Sequence, residues 1–291
     1  MLECVAIYSK DNNTRTREGV SKLIKEFTKK GIRILILKNA ENNLIDHNNE
    51  VEFFTSFSEI PKVPDLVLSV GGDGTFLATA LMVKDYGIPI AGVNTGRMGF
   101  LANIPVDDLS NSVNMLCNNE FRRIDRSLLE VTQPVGIFGE YPSVALNEIT
   151  IQKADFSMIT INVFVDDIFL STYWCDGLIV STATGSTAYN LSVGGPILSP
   201  EDESIIISPI APHNLNIRPI ILSGDSRFRM VVEGRSCEYL ATCDFRSVKL
   251  SFSNEIRIVR APVKLQTVML EGTDFYSTLR NKLMWGVDKR N

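Results

Sequence analysis

From Cys4 to about Ala102, short apolar runs alternate with helical stripes, and this alternation restricts the fold more than any other feature of the chain. Strands that pair in parallel need a long crossover, and a helix is the usual one, so the pattern predicts βαβ units. Cys4 to Tyr8 is a buried-strand candidate. Arg17 to Lys30 follows, with Val20, Leu23, Ile24 and Phe27 at offsets of three and four, and Gly31 stands where a glycine past a C-cap is expected. Ile32 to Leu37 gives a second strand, Asp65 to Val70 a third, Thr75 to Val83 a helix and Ile88 to Val93 a fourth strand. The expected N-terminal domain, residues 1–104, is therefore α/β with a doubly wound sheet.

From about Arg122 to Pro262 the texture changes to short runs rich in Val, Ile, Phe and Thr, separated by Gly, Pro, Asn and Asp. Met158 to Val165 and Ile168 to Tyr173, joined through Asp166 and Asp167, read as a hairpin. Phe228 to Glu233, Val248 to Phe252 and Glu255 to Val259 continue the pattern, so residues 105–264 are expected to form a mostly-β domain. The chain then returns to helix. Phe275, Leu279 and Leu283 share one face, with Asp274 at the N-terminal end and Arg280 and Lys282 at the other, as the macrodipole favours. Segment 265–291 is expected to pack on the first domain and complete it.

With 291 residues, 44% hydrophobic and 22% charged, the chain lies far from the polar regime of disordered proteins. A net charge of −5 and a pI near 5.3 argue against binding nucleic acid through its phosphates. No apolar run approaches the ~20 residues of a membrane span, and Met1 to Lys10 lacks a signal-peptide pattern, so a cytoplasmic protein is expected. Cys4, Cys117, Cys175, Cys237 and Cys243 are odd in number and scattered, and are read as reduced thiols. His47 and His213 are too few and too isolated for a histidine-rich zinc site, so any metal is expected to be hard and oxygen-bound.

Four motifs carry chemistry. Gly71-Gly72-Asp73-Gly74-Thr75 lies between a strand and a helix, where glycines let backbone N–H groups approach a phosphate and the helix end adds positive charge. Asp73 is the informative residue, because a carboxylate among phosphates is repulsive unless it meets their magnesium or takes a proton from an attacking hydroxyl. The second motif, Asn94-Thr95-Gly96-Arg97-Met98-Gly99-Phe100-Leu101, follows the fourth strand and belongs at the same sheet edge, implying one crevice. The third, Asn147-Glu148, pairs an amide with a carboxylate and offers donors and acceptors to a ribose or an adenine edge. The fourth runs from Asp176 to Pro196. There an acidic glycine turn and a hydroxyl-rich glycine segment bracket a strand, and Tyr189 stands ready to stack on a base.

Together GGDGT, NTGxxGFL, the Asn-Glu pair, DGLIVSTATGSTAYNLSVGGPI and the ending LRNKLMWG resemble the NAD kinase family, in order and spacing, over most of the chain. The resemblance implies an α/β domain completed by the C-terminal helix, a β-sandwich-like second domain, and homodimers or homotetramers. It implies transfer of the terminal phosphoryl of ATP, or of polyphosphate, to the 2′-hydroxyl of the adenosine ribose of NAD, with a divalent cation, Mg2+, carried by ATP. Asp73 would be the catalytic base, Gly71, Gly72, Gly74 and Thr75 would hold phosphate, and Gly74 would lie against NAD. Asn147 and Glu148 would hold ribose and adenine, and Asp176, Thr184, Thr187, Ala188, Tyr189, Asn190, Leu191 and Ser192 would line the NAD pocket. The chain departs from the family pattern at Phe245 and Arg246, where Gly-Gln or Ser-Gln often follows the aspartate, and at Trp174, where some members carry arginine.

Overall fold

The computed structural model describes residues 2–38, 51–96, 99–235 and 237–286; His47, Arg97 and Met98 lie outside them. The chain forms two compact units, Met1–Asp125 with Leu265–Asn291, and Arg126–Lys264.

In the first unit, β1 (Cys4–Tyr8), α1 (Thr14–Thr28), β2 (Arg33–Leu37) and β3 (Glu52–Phe54) are followed by β4 (Leu66–Gly71), α2 (Asp73–Val83), β5 (Ile90–Asn94), β6 (Ile104–Pro105) and α3 (Leu109–Cys117). The strands pair in parallel in the order β5-β4-β1-β2-β3, which reverses direction between β1 and β4. Val5, Ile7, Leu68 and Val70 turn one way into a core with α1 and α3, while Ser69 turns the other way and accepts the Thr79 hydroxyl of α2 at 2.8 Å. Helices therefore cover both faces, as a doubly wound sheet requires.

α1 starts earlier than its apolar stripe, because Asn13 caps it: the Asn13 side chain accepts the Thr16 N–H at 3.0 Å. Replacing Asn13 with Ala should cost about 1 kcal/mol, a fall of roughly 2–4 °C in thermal midpoint. An unchanged midpoint would show that the cap contributes nothing.

The first unit extends to Asp125 rather than ending at 104, because α3 buries Leu109, Val113 and Leu116 in the α1 core. Its stripe is hidden in the sequence among Ser110, Asn111, Ser112 and Asn114, which favour caps and turns over helix interiors.

β7 (Phe121–Gln133) leads into the second unit, which contains β8 (Val144–Ala145), β9 (Glu148–Lys153), β10 (Ile159–Val165), β11 (Ile168–Cys175), β12 (Gly177–Ser181), α4 (Tyr189–Ser192), β13 (Ile205–Ile210), β14 (Ile220–Leu222), β15 (Phe228–Gly234), β16 (Glu238–Cys243) and β17 (Arg246–Ser251). The β10–β11 hairpin turns at Asp166 and Asp167, both with positive φ, the signature of a two-residue type I′ turn. One antiparallel sheet has the order β14-β13-β12-β9-β16-β17, and β11, β10 and β15 form part of another. Ile151, Val180, Ile207 and Tyr239 of the first and Ile161, Val163, Met230 and Val232 of the second share one core, so this unit is a β-sandwich.

β18 (Ile256–Leu270) runs ten residues or so beyond the expected Val259 and passes back into the first unit at Leu265. Pro262 reads as a strand breaker, yet the strand passes through it. α5 (Phe275–Leu283) follows, capped by Asp274, whose carboxylate accepts the Ser277 N–H at 2.8 Å.

Candidate active site

In the first unit the two glycine loops meet at the C-terminal ends of the neighbouring parallel strands β4 and β5. Gly71 ends β4, and its carbonyl accepts the Thr95 N–H at 3.2 Å. Gly72 is the N-cap of α2 and offers no side chain to the first-turn N–H groups. Asp73 could have capped that turn, but its carboxylate points elsewhere. Oδ2 accepts the Phe100 N–H at 3.0 Å, while Oδ1 accepts those of Leu101 at 3.2 Å and Ala102 at 3.0 Å. A Cβ added at Gly72 or Gly74 would meet nothing within 4 Å, so the space before α2 is open. Thr75 is buried with its side chain against Gly71, leaving its backbone for any anion.

Two glycines make the three-amide cradle. At Gly92, a Cβ would lie 2.6 Å from Cα of Ala102, so glycine lets the Leu101–Ala102 backbone cross β5 closely. At Gly99, it would lie 1.7 Å from Oδ1 of Asp73 itself. The cradle is completed by α5. Phe275 packs its ring 6.4 Å from that of Phe100, and Lys282 brings Nζ to 3.8 Å from Oδ2 of Asp73.

In the second unit, Asn147 and Glu148 stand at the start of β9, beside the turn that follows β12. The Asn147 carbonyl accepts the Thr182 N–H at 2.9 Å, and the Thr182 hydroxyl donates to the Leu146 carbonyl at 2.6 Å. A half-buried carboxylate holds the pair from behind: Asp244 accepts the N–H groups of Leu146 at 2.9 Å, Asn147 at 2.8 Å and Glu148 at 3.3 Å. Next to it, Arg246 donates to the carbonyls of Pro142 and Val144 and lies over Phe138 and Phe245. Arg246 is thus structural here, fixing the loop before the Asn-Glu pair.

Glu148 is only 8% exposed, and its Oε2 has no hydrogen-bond partner among the described residues. Burial, reinforced by the Asp244 charge and opposed by a bond from the Tyr189 backbone, pushes its carboxyl up to about 8. Burial pushes Asp244 up as well, but three N–H bonds and the Arg246 charge favour its carboxylate. Neutral Glu148 is therefore a hydrogen-bond donor near pH 7. A carboxyl raised by folding binds its proton more tightly folded than unfolded, so stability should fall as pH rises from about 4.5 to about 8. Glu148→Gln should remove that loss, on the order of 5 kcal/mol over the whole range, of which roughly 3 kcal/mol falls between pH 6 and pH 9. Thermal midpoints at pH 6 and pH 9 read it; parallel pH dependence in the two proteins would contradict it.

The long fourth motif divides. Thr184, Gly185, Ser186 and Thr187 form a 3-10 turn, where buried Thr184 accepts a bond from Nη1 of Arg126 at 3.1 Å. Thr187, Ala188 and Tyr189 are half-buried, as is Leu191, and Ser192 is exposed. Tyr189 is thus not a fully buried core residue. Asn190 is fully buried, its amide bonded to the carbonyls of Ser186 and Pro196 and its oxygen to the Ser208 hydroxyl, so it organises the turn. Asp176 is not brought to this cluster. It pairs with Lys153 at 2.7 Å, at the opposite end of the β9–β12 ladder from Glu148, roughly 16 Å away along the strand.

The placement of three further residues that shape these clusters is not legible in the sequence. Asp244 lies 96 residues or more from the backbone it binds. Gly92 sits inside a strand with no turn to announce it, and Lys282 reads as a dipole partner of its own helix.

Comparison with known proteins agrees with this picture. Residues 12–121 match the ATP-NAD kinase N-terminal domain and residues 146–270 the ATP-NAD kinase C-terminal domain. The chain is 39% identical to the NAD kinase of Christiangramia forsetii over 99% of each protein, and 41% identical to that of Cytophaga hutchinsonii over 94% of each. Among solved structures, an NAD kinase from Archaeoglobus fulgidus in complex with ATP superposes with a TM-score of 0.74 and 26% identity, covering 97% of this chain and 98% of that one. Yeast NADH kinase complexed with NADH shares the fold, with a TM-score of 0.83 at 21% identity over 99% of this chain and 89% of that one. An uncapped glycine helix with a fixed carboxylate, an Asn-Glu pair on a β-sandwich and relatives matched end to end have one common explanation: the chain belongs to the NAD kinase family.

Proposed function

We propose that Asp73 is the base in the family's reaction, transfer of the terminal phosphoryl of ATP to the 2′-hydroxyl of the adenosine ribose of NAD, which yields NADP. The observation that carries this reading is the three-amide cradle. It holds a carboxylate in one orientation beside an open, uncapped helix N-terminus. Oδ1 already accepts two N–H bonds and Oδ2 only one, so Oδ2 keeps a lone pair for the hydroxyl proton. Gly71, Gly72, Gly74 and Thr75 supply backbone N–H groups to phosphate oxygens, and Gly74 leaves room for NAD.

Asn147 and neutral Glu148 bind the adenosine moiety, Glu148 donating and Asn147 offering both functions. Thr184, Thr187, Ala188, Tyr189, Leu191 and Ser192 line the NAD pocket, and Asn190 shapes it from within. Asp176 stands apart from this set, and we assign it no contact with adenosine.

The family generally needs a divalent cation, and we propose Mg2+ carried by ATP. Such a cation would be held by phosphate oxygens and water, and Asp73 is the residue of this site whose carboxylate could reach it. When bound, the cation supplies charge neutralisation on the phosphates.

No helix among the described residues is long and apolar enough to cross a membrane, in keeping with a cytoplasmic enzyme. A homodimer or homotetramer is supported by β11, the last strand of its sheet, which exposes Ile168, Phe169 and Trp174. The NAD pocket is tested by calorimetric titration with NAD alone. Asn147→Ala should weaken binding about tenfold, the value of one to two lost hydrogen bonds. Unchanged affinity would remove Asn147 from the pocket.

A further inference from the structure

Lys282, near the end of α5, has no role in the reaction described so far. Its ammonium lies 4.3 Å from the centroid of the Phe100 ring and 3.8 Å from Oδ2 of Asp73. None of its three N–H donors has an acceptor at hydrogen-bond distance among the described residues, and its side chain is 32% exposed. A surface lysine with no hydrogen bond gains little from a fixed position. This one is nevertheless held against the carboxylate, by α5 docking Phe275 and Leu279 and by the face of Phe100. Phe100 itself donates its N–H to the same Oδ2, so one residue positions both the base and the cation.

We infer that Lys282 is a second catalytic residue of the phosphoryl transfer, a cation that moves its attention from Asp73 to the transferring phosphoryl as the reaction proceeds. The inference rests on Asp73 being the base. In the transfer, the bond from the 2′-oxygen to phosphorus forms as the bond from phosphorus to the bridging oxygen of ADP breaks. The hydroxyl proton passes to Oδ2 of Asp73, and Lys282 keeps its protons throughout. Once Asp73 is neutral the ammonium has lost its partner, while the phosphoryl group, with negative charge on its oxygens, is becoming bonded to the neighbouring 2′-oxygen. A free three-donor cation beside that oxygen stabilises the transition state more than the ground state, which is the condition for raising kcat. With no hydrogen bond to Lys282 among the described residues, it can make this change without first breaking one.

The test uses the full-length protein with NAD, ATP and Mg2+. Lys282→Met keeps the apolar stem over Phe100 and removes only the charge. It should lower kcat about 10²-fold with KM for NAD little changed. Ethylammonium should restore part of the Lys282→Met rate, and Lys282→Arg should retain more activity than Lys282→Met. Lys282→Met with wild-type kcat overturns the proposal. So does a loss that neither ethylammonium nor the arginine variant recovers, since that marks a structural role. Asp73→Asn measured alongside separates the two assignments. An active Asp73→Asn removes the base itself, whereas an inactive Asp73→Asn beside a fully active Lys282→Met removes only the lysine.

Discussion

Asp73→Asn should retain NAD binding and lose about 10²- to 10⁴-fold in kcat, the usual contribution of a positioned general base. The amide is nearly isosteric with the carboxylate, and its oxygen can take the place of Oδ1 and keep the bonds from Leu101 and Ala102. Its NH2 then faces the Phe100 N–H in place of Oδ2, so one hydrogen bond is lost and the lone pair that takes the proton disappears. The fold should survive this, because a single bond is worth about 1 kcal/mol. The split matters more than the size: kcat falls while the Kd for NAD stays, since the oxygen lost here acts on the proton in flight. An Asp73→Asn protein turning over at the wild-type rate would end the base assignment.

The second large effect is expected at a residue that touches no substrate. Gly99→Ala places a Cβ 1.7 Å from Oδ1 of Asp73, an impossible contact, so the carboxylate or the segment behind it must move by more than an ångström. Displacements of about 1 Å at a reacting group cost on the order of 10²-fold in rate. We expect kcat to fall by at least that factor while circular dichroism and NAD affinity remain near wild type. The cause is steric contact with the base, since the added Cβ meets the carboxylate directly. Full activity in Gly99→Ala would mean that the orientation of Asp73 is irrelevant to turnover.

These two predictions differ in how far the sequence leads to them. Asp73 is legible, because a carboxylate among glycines between a strand and a helix poses a chemical question that few roles answer. The meeting of the two glycine loops is legible too, since both follow parallel strands and must emerge at the same sheet edge. The cradle is not. Its donors are backbone N–H groups of Phe100, Leu101 and Ala102, which every residue carries, and what places them is the absence of side chains at Gly92 and Gly99. Asp244 is hidden for a related reason, as an acid on a hairpin turn of β16–β17 that binds backbone far away in sequence.

The fold divides along similar lines. β1, α1 and the β10–β11 hairpin follow from apolar runs, apolar period and turn chemistry carried by their own residues. α3 and the length of β18 come instead from tertiary packing. Leu109, Val113 and Leu116 carry α3 through a run of poor helix formers, and sheet neighbours carry β18 through Pro262. Asp176 and Tyr189 lie apart because the run joining them contains β12, and a strand separates its ends.

The account as a whole is tested most directly by incubating the purified protein with NAD, ATP and Mg2+ and following NADP with an NADP-specific dehydrogenase. It predicts steady NADP production that requires all three components and is abolished by Asp73→Asn. Binding of NAD with no NADP formed would contradict it, leaving a nucleotide-binding protein in which the cradle around Asp73 serves some other end.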